Sequence, residues 1–124
     1  MAQLKNTDKL ASLELGQAVA IGHNRNVERV KGGFRCTLHG NGIAFFSELD
    51  ASGIIRVTLN DCGYPTVTTR NAMRDFARAF GCTLSVSFAK GGFSIRFKNA
   101  AGHYVDRELE RGTSSGPIAL GRYV

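Results

Sequence analysis

The sequence has no tryptophan, few histidines and no long apolar run. Its longest apolar stretches are about five residues, against the ~20 a membrane-crossing helix needs. Met1 to Lys9 is polar and lacks the apolar centre of a signal peptide. These absences predict a chain that stays in the cytoplasm of its host cell and does not engage a membrane. Only Cys36, Cys62 and Cys82 carry thiols, and no CxxC pair occurs, so neither a zinc site nor a thioredoxin-like motif is signalled. All three read as reduced structural cysteines. His23, His39 and His103 stand far apart, without HExxH spacing. Gly-x-Ser-x-Gly, P-loop and GxGxxG sequences are missing. A Cys36–His39 dyad fails on a strand, where positions three apart face opposite sides. No enzyme, cofactor or metal site is expected.

Acidic residues are also scarce. Ten Asp and Glu face sixteen Lys and Arg, a net charge of +6. A basic balance favours an acidic partner: a nucleotide, nucleic acid or an acidic protein surface. Arginines outnumber lysines, and their planar fork suits phosphate and carboxylate.

What is present suits one globular domain. The 124 residues are 43% apolar and 21% charged, with eight phenylalanines for the core. Residues 1–112 read as a single α+β domain with an N-terminal arm, and 113–124 as a flexible C-terminal tail. Leu15–Ile21 is apolar enough to pack, and Val27–Val30 alternates as a half-buried strand. Phe34–His39 alternates again. Gly40-Asn41-Gly42 predicts a hairpin turn at Asn-Gly, with Ile43–Ser47 returning. Asp50–Gly53 reads as a turn and Ile54–Asn60 as the next strand.

The clearest element is a helix over 70–80. Ala72, Met73, Phe76, Ala77 and Phe80 form one apolar stripe, Thr68 or Thr69 can cap it, and Gly81 suits its C-terminus. A second hairpin, Leu84–Phe88 and Phe93–Lys98, turns at Lys90-Gly91-Gly92. A short edge strand is expected at 103–105. Lys31-Gly32-Gly33-Phe34 and Lys90-Gly91-Gly92-Phe93 repeat one turn sequence before two strands. The expected fold is α+β: an antiparallel sheet of about five or six strands, a meander plus a C-terminal hairpin, with one main helix on it. One helix leaves a sheet face uncovered. Phe45 and Phe46 point to opposite faces, so a homodimer or higher oligomer is expected.

Two basic constellations are candidate sites. Arg70, Arg74 and Arg78 share one helix face, where like charges repel. Beside them, Tyr64 can stack on a base, while Thr68 and Thr69 add hydroxyls to the free N–H groups of the helix start. Together they predict an anion site at that end. The alternative is the polar basic segment carrying His23, Arg25 and Arg29.

Between 38 and 70, Leu38-His39-Gly40-Asn41-Gly42-Ile43-Ala44, Val57-Thr58-Leu59-Asn60-Asp61-Cys62-Gly63-Tyr64 and Thr66-Val67-Thr68-Thr69-Arg70 follow one another. This succession resembles a recurrent pattern in small phage-encoded proteins of unassigned role. Small phage proteins of this size often oppose host defence, by holding nucleotide messengers or blocking nucleic-acid-guided nucleases. The resemblance therefore implies a non-enzymatic anti-defence inhibitor, and it assigns no binding residue. A small nucleic-acid-binding protein and a virion structural or assembly protein are the alternatives.

Overall fold

A computed structural model describes residues 13–48, 54–64, 66–82, 84–99 and 101–120. The arm expected over 1–13, all but its last residue, lies outside them, as do the turn at 50–53 and the last four residues. The elements in chain order are β1 (Ala18–Gly22), β2 (Arg25–Val30), β3 (Gly33–Leu38), β4 (Asn41–Ser47), β5 (Ile55–Leu59), α1 (Val67–Ala79), β6 (Leu84–Ala89), β7 (Gly92–Lys98), β8 (Tyr104–Glu110) and β9 (Ile118–Leu120).

The protein is α+β, and its strands form two sheets. One sheet has the order β1-β2-β3-β4-β5-β9; the other has β6-β7-β8. Neighbours are antiparallel throughout. The C-terminal hairpin, expected in the main sheet, is therefore the start of a separate one. Its third strand takes in the charged run after Tyr104. In β8 only Leu109 is buried, opposite Phe93, while the charged residues face outward.

Both sheets and α1 enclose a single core. Phe46, Val57 and Leu59 from the large sheet, Phe93 and Ile95 from the small one, and Met73 and Phe76 from α1 are fully buried. Phe80 closes the helix end and stacks on Phe46, with ring centroids 4.3 Å apart. Gly81 follows with a φ of 71°, the left-handed conformation expected of it. Phe88, expected inside with its alternating neighbours, is half exposed at the end of β6.

Three local expectations are corrected. Residues 113–120 do not stand free of the domain. Ile118 and Leu120 lie opposite Val57 and Ile55, and both are buried, because their alternation with Ala119 completes the core edge of β5. The β3–β4 turn is His39-Gly40 rather than Asn41-Gly42. Its φ values of 51° and 82° supply the two left-handed residues such a turn needs. Pairing then shifts between Cys36 and Thr37, and this bulge lets both Leu38 and Ile43 stay buried. Finally, the outer face around Phe45 is not an apolar patch. Phe45 is half-buried beside its cross-strand neighbours Arg35 and Thr58.

The repeated Lys-Gly-Gly-Phe turns solve one packing problem twice. A Cβ on Gly33 would lie 2.2 Å from the Phe46 carbonyl oxygen, and one on Gly92 would lie 2.1 Å from that of Leu109. In both places the third strand of a meander presses on the second where only glycine fits.

Candidate functional site

Helix α1 starts one turn earlier than expected. Thr66 has extended backbone (φ −107°, ψ 167°), and its Oγ1 accepts the Thr69 N–H at 3.2 Å. That geometry makes Thr66 the cap and places Thr68 and Thr69 inside the first turn. Thr69 is buried, with its hydroxyl 3.2 Å from that of Thr66. Thr68 is exposed.

The loop into the helix is organised by Asp61, which is 1% exposed. Its Oδ1 accepts the N–H groups of Gly63 and Gly112, each at 2.8 Å. The first bond closes a local turn; the second ties this loop to the β8–β9 connection. Arg111 Nε reinforces the tie by donating to the Gly63 carbonyl at 3.0 Å. Asp61 Oδ2 is buried with no hydrogen-bond partner among the described residues. Next to it, Cys62 is left-handed (φ 55°), its N–H donating to Asn60 Oδ1 and its Sγ to the Gly42 carbonyl.

A cleft of about 370 Å³ opens here. Asp61, Cys62 and Tyr64 form one wall with Thr66, Thr68 and Thr69. The other wall is the β3–β4 hairpin end, with Leu38, His39, Asn41 and Ile43. Tyr64 is 60% exposed.

The arginines lie elsewhere. Arg74 and Arg78 are exposed on α1 and, with Asn71 and Asp75, line a second cleft of about 330 Å³. Its fifth member is Arg25 from β2, whose guanidinium makes an ion pair with Asp75. Arg25 Nε is buried without a partner among the described residues. Arg70 lines neither cleft. Its guanidinium lies over the Phe88 ring, 5.1 Å from the centroid, and Nη2 donates to Asn71 Oδ1 at 3.4 Å.

The structure thus divides the expected helix-start cluster. Tyr64, Thr68 and Thr69 line the first cleft, Arg74 and Arg78 the second, and Arg70 packs on Phe88. It also joins parts that the sequence keeps separate, since Arg25, 49 residues before Arg74, completes the second cleft. The rest of that basic segment does not follow. His23 is exposed in the β1–β2 turn, and Arg29 pairs with Glu48 and lies over Phe34. Sequence reasoning passed over Asp61, His39, Cys62 and Asn71. For Asp61 a signal existed, since Asp before Cys-Gly after a strand is turn chemistry.

His39 and Cys62 meet at one cleft, but the thiol is not activated. Burial pushes the Cys62 thiol up, the Asp61 charge adds to this, and Arg35 pulls it the other way. Burial also raises Cys36 far above its ordinary range and Cys82 to about 11. All three cysteines are free thiols. A thiol so held is a poor nucleophile and a poor metal ligand. Among the described residues, no three His, Cys, Asp or Glu side chains gather to hold a metal ion, and no helix is long and apolar enough to cross a membrane.

No family model, curated protein or solved structure matches the chain, so its function is read from this geometry.

Proposed function

We propose that the chain is a non-enzymatic binding protein that captures an anionic partner at the cleft of Arg25, Arg74 and Arg78. The observation that carries this reading is the convergence of three guanidiniums from two elements on one concavity, against the single carboxylate of Asp75. Arg74 and Arg78 repel each other at adjacent turns of one helix face, and an anion between them relieves that repulsion. Arg25 Nε, buried and without a partner among the described residues, leaves a donor to spare. Arginine forks make charge-assisted, bidentate bonds to phosphate or carboxylate oxygens. A concave site favours a compact anion, or an acidic side chain of a protein, over a duplex backbone.

The resemblance of 38–70 to small phage proteins supports a partner in host defence, met in the host cytoplasm: a nucleotide signal or an acidic face of a defence protein. Self-association belongs to the same proposal. Edge strand β1 pairs only with β2 among the described residues, and Leu15 beside it is 70% exposed. A sedimentation profile independent of concentration at monomer mass would remove that part.

The test is calorimetric titration of inorganic pyrophosphate into the parent and into Arg74→Glu/Arg78→Glu. Binding by the parent and loss in the variant is the expected outcome. Equal binding by both would show the arginines to be only a solvated face. Tight duplex DNA binding that collapses with rising salt would instead mark a nucleic-acid-binding protein.

A further inference from the structure

We propose that the cleft over Asp61 takes the base of a nucleotide, with an N–H on the base edge donating to Asp61 Oδ2, while the phosphate of the same ligand sits among Arg25, Arg74 and Arg78. This rests on the anion site proposed above and extends it to a ligand class.

The first observation is the orphaned oxygen. Asp61 Oδ1 already accepts two backbone N–H groups, yet Oδ2 accepts none among the described residues, although the side chain lines the cleft and is 1% exposed. A buried acceptor without a partner is rare and calls for a donor. The second observation is the surface around it. Leu38 and Ile43, 5% and 2% exposed, give the cleft apolar walls, and the Tyr64 ring is exposed at its edge. A planar ring with apolar faces and N–H groups at its rim meets both demands, as bases do when read by hydrogen bonds at one edge and stacking on the faces. An alkylammonium would satisfy Oδ2 but would be repelled by the arginines next door. A volume of about 370 Å³ is at the small end for ligand sites, enough for a ring system.

The third observation joins the clefts. Arg25 of the second lies directly opposite Leu38 of the first in the β2–β3 register. On the helix, Thr68, Asn71, Asp75 and Arg78 recur at helical spacing along one face. The first of these lines the base cleft and the other three line the arginine cleft. From Thr68 to Arg74 is about 9 Å along the axis at 1.5 Å per residue. A ligand with a planar head and an anionic tail can lie in both.

The test uses the full chain and calorimetry with AMP, GMP, CMP and UMP, their nucleosides, and ribose 5-phosphate. Asp61→Asn is the informative variant. It keeps an acceptor for Gly63 and Gly112 and replaces Oδ2 by a donor. At least one nucleotide should bind about tenfold more tightly than ribose 5-phosphate, and Asp61→Asn should remove that advantage without changing ribose 5-phosphate binding. If Asp61→Asn lowers the melting midpoint sharply, Tyr64→Ala serves instead, with the same selective loss expected. No preference for any nucleotide, or a preference intact in the folded Asp61 and Tyr64 variants, would overturn the inference. Ribose 5-phosphate binding that needs Arg74 and Arg78, without base preference, would overturn this inference and leave the anion site standing. Nucleotide binding that depends on Asp61 but is as tight in Arg74→Glu/Arg78→Glu as in the parent would overturn the anion site and the shared ligand with it.

Discussion

The two clefts beside α1 share a helix and a hairpin, yet their chemistry differs. The first is built around a buried carboxylate whose bonds hold loops together: Asp61 fastens its own turn and the β8–β9 connection. The second is built around the exposed Arg74 and Arg78 and the half-buried Arg25, which makes an ion pair with Asp75. On the proposed reading, a structural role and a binding role are combined in the first cleft and separated in the second. The difference shows why a helix start with threonines is not by itself a phosphate site. Here one hydroxyl caps the helix, a second is buried against it, and a carboxylate lines the same space.

That contrast can be broken at its base. Phe76 is fully buried and anchors α1, which carries a wall of both clefts. Phe76→Ala should cost about 3–5 kcal/mol, read by denaturant unfolding, and should weaken ligand binding at both clefts together. A tolerated Phe76→Asp would contradict the packing described.

Asp61→Ala should separate the clefts next. It removes the acceptor of two backbone N–H bonds, at a cost of about 1.5–3 kcal/mol, while pyrophosphate binding by the still-folded protein persists. Undiminished stability would mean that those bonds hold no loop in place.

Alkaline pH tests the buried thiols, which lie in the core and the first cleft but not in the second. An unfolded cysteine ionises near 9.0, whereas folded Cys82 holds its proton to about 11. Between these values the unfolded chain binds fewer protons, so stability present below pH 9 falls as pH rises through about 11. Cys82→Ala should flatten that decline in melting midpoint; an unchanged slope would contradict the burial of the thiol.

The smallest stability effect belongs to the arginines. Arg74→Glu/Arg78→Glu should move the melting midpoint by no more than tenths of a kcal/mol, since the reversal exchanges one like-charge pair at i, i+4 for another while giving Arg70 an opposite charge at position 74.

Much of the fold was legible because it rests on local signals. The stripe of Ala72, Met73, Phe76 and Ala77 marked the helix, and Gly81 marked its end. The start was misplaced because Thr66, Thr68 and Thr69 are chemically equal candidates, and only the extended backbone of Thr66 distinguishes them. Asn41-Gly42 drew the hairpin turn two residues too far along, since burial of Leu38 and Ile43 decides the register more strongly than turn preference. Strand β9 is three residues in a Ser- and Gly-rich context, too short for a period to show. The site was half legible. Arg74 and Arg78 announced themselves by spacing, but Arg25 joins them through a contact 50 residues away in sequence, to Asp75, that no local pattern encodes. Asp61 was passed over although its position before Cys-Gly carries the local signal for its turn bond to Gly63; its second bond, to Gly112, needs the fold.

The central claim is that the cleft of Arg25, Arg74 and Arg78 binds an anion. Titration of pyrophosphate at low salt, followed by calorimetry on the parent and on Arg74→Glu/Arg78→Glu with matched melting midpoints, tests it most directly. The account predicts measurable binding by the parent and at least about a tenfold loss in the variant, as expected when two charge-assisted contacts are removed. Equal affinities in two equally folded proteins would contradict it.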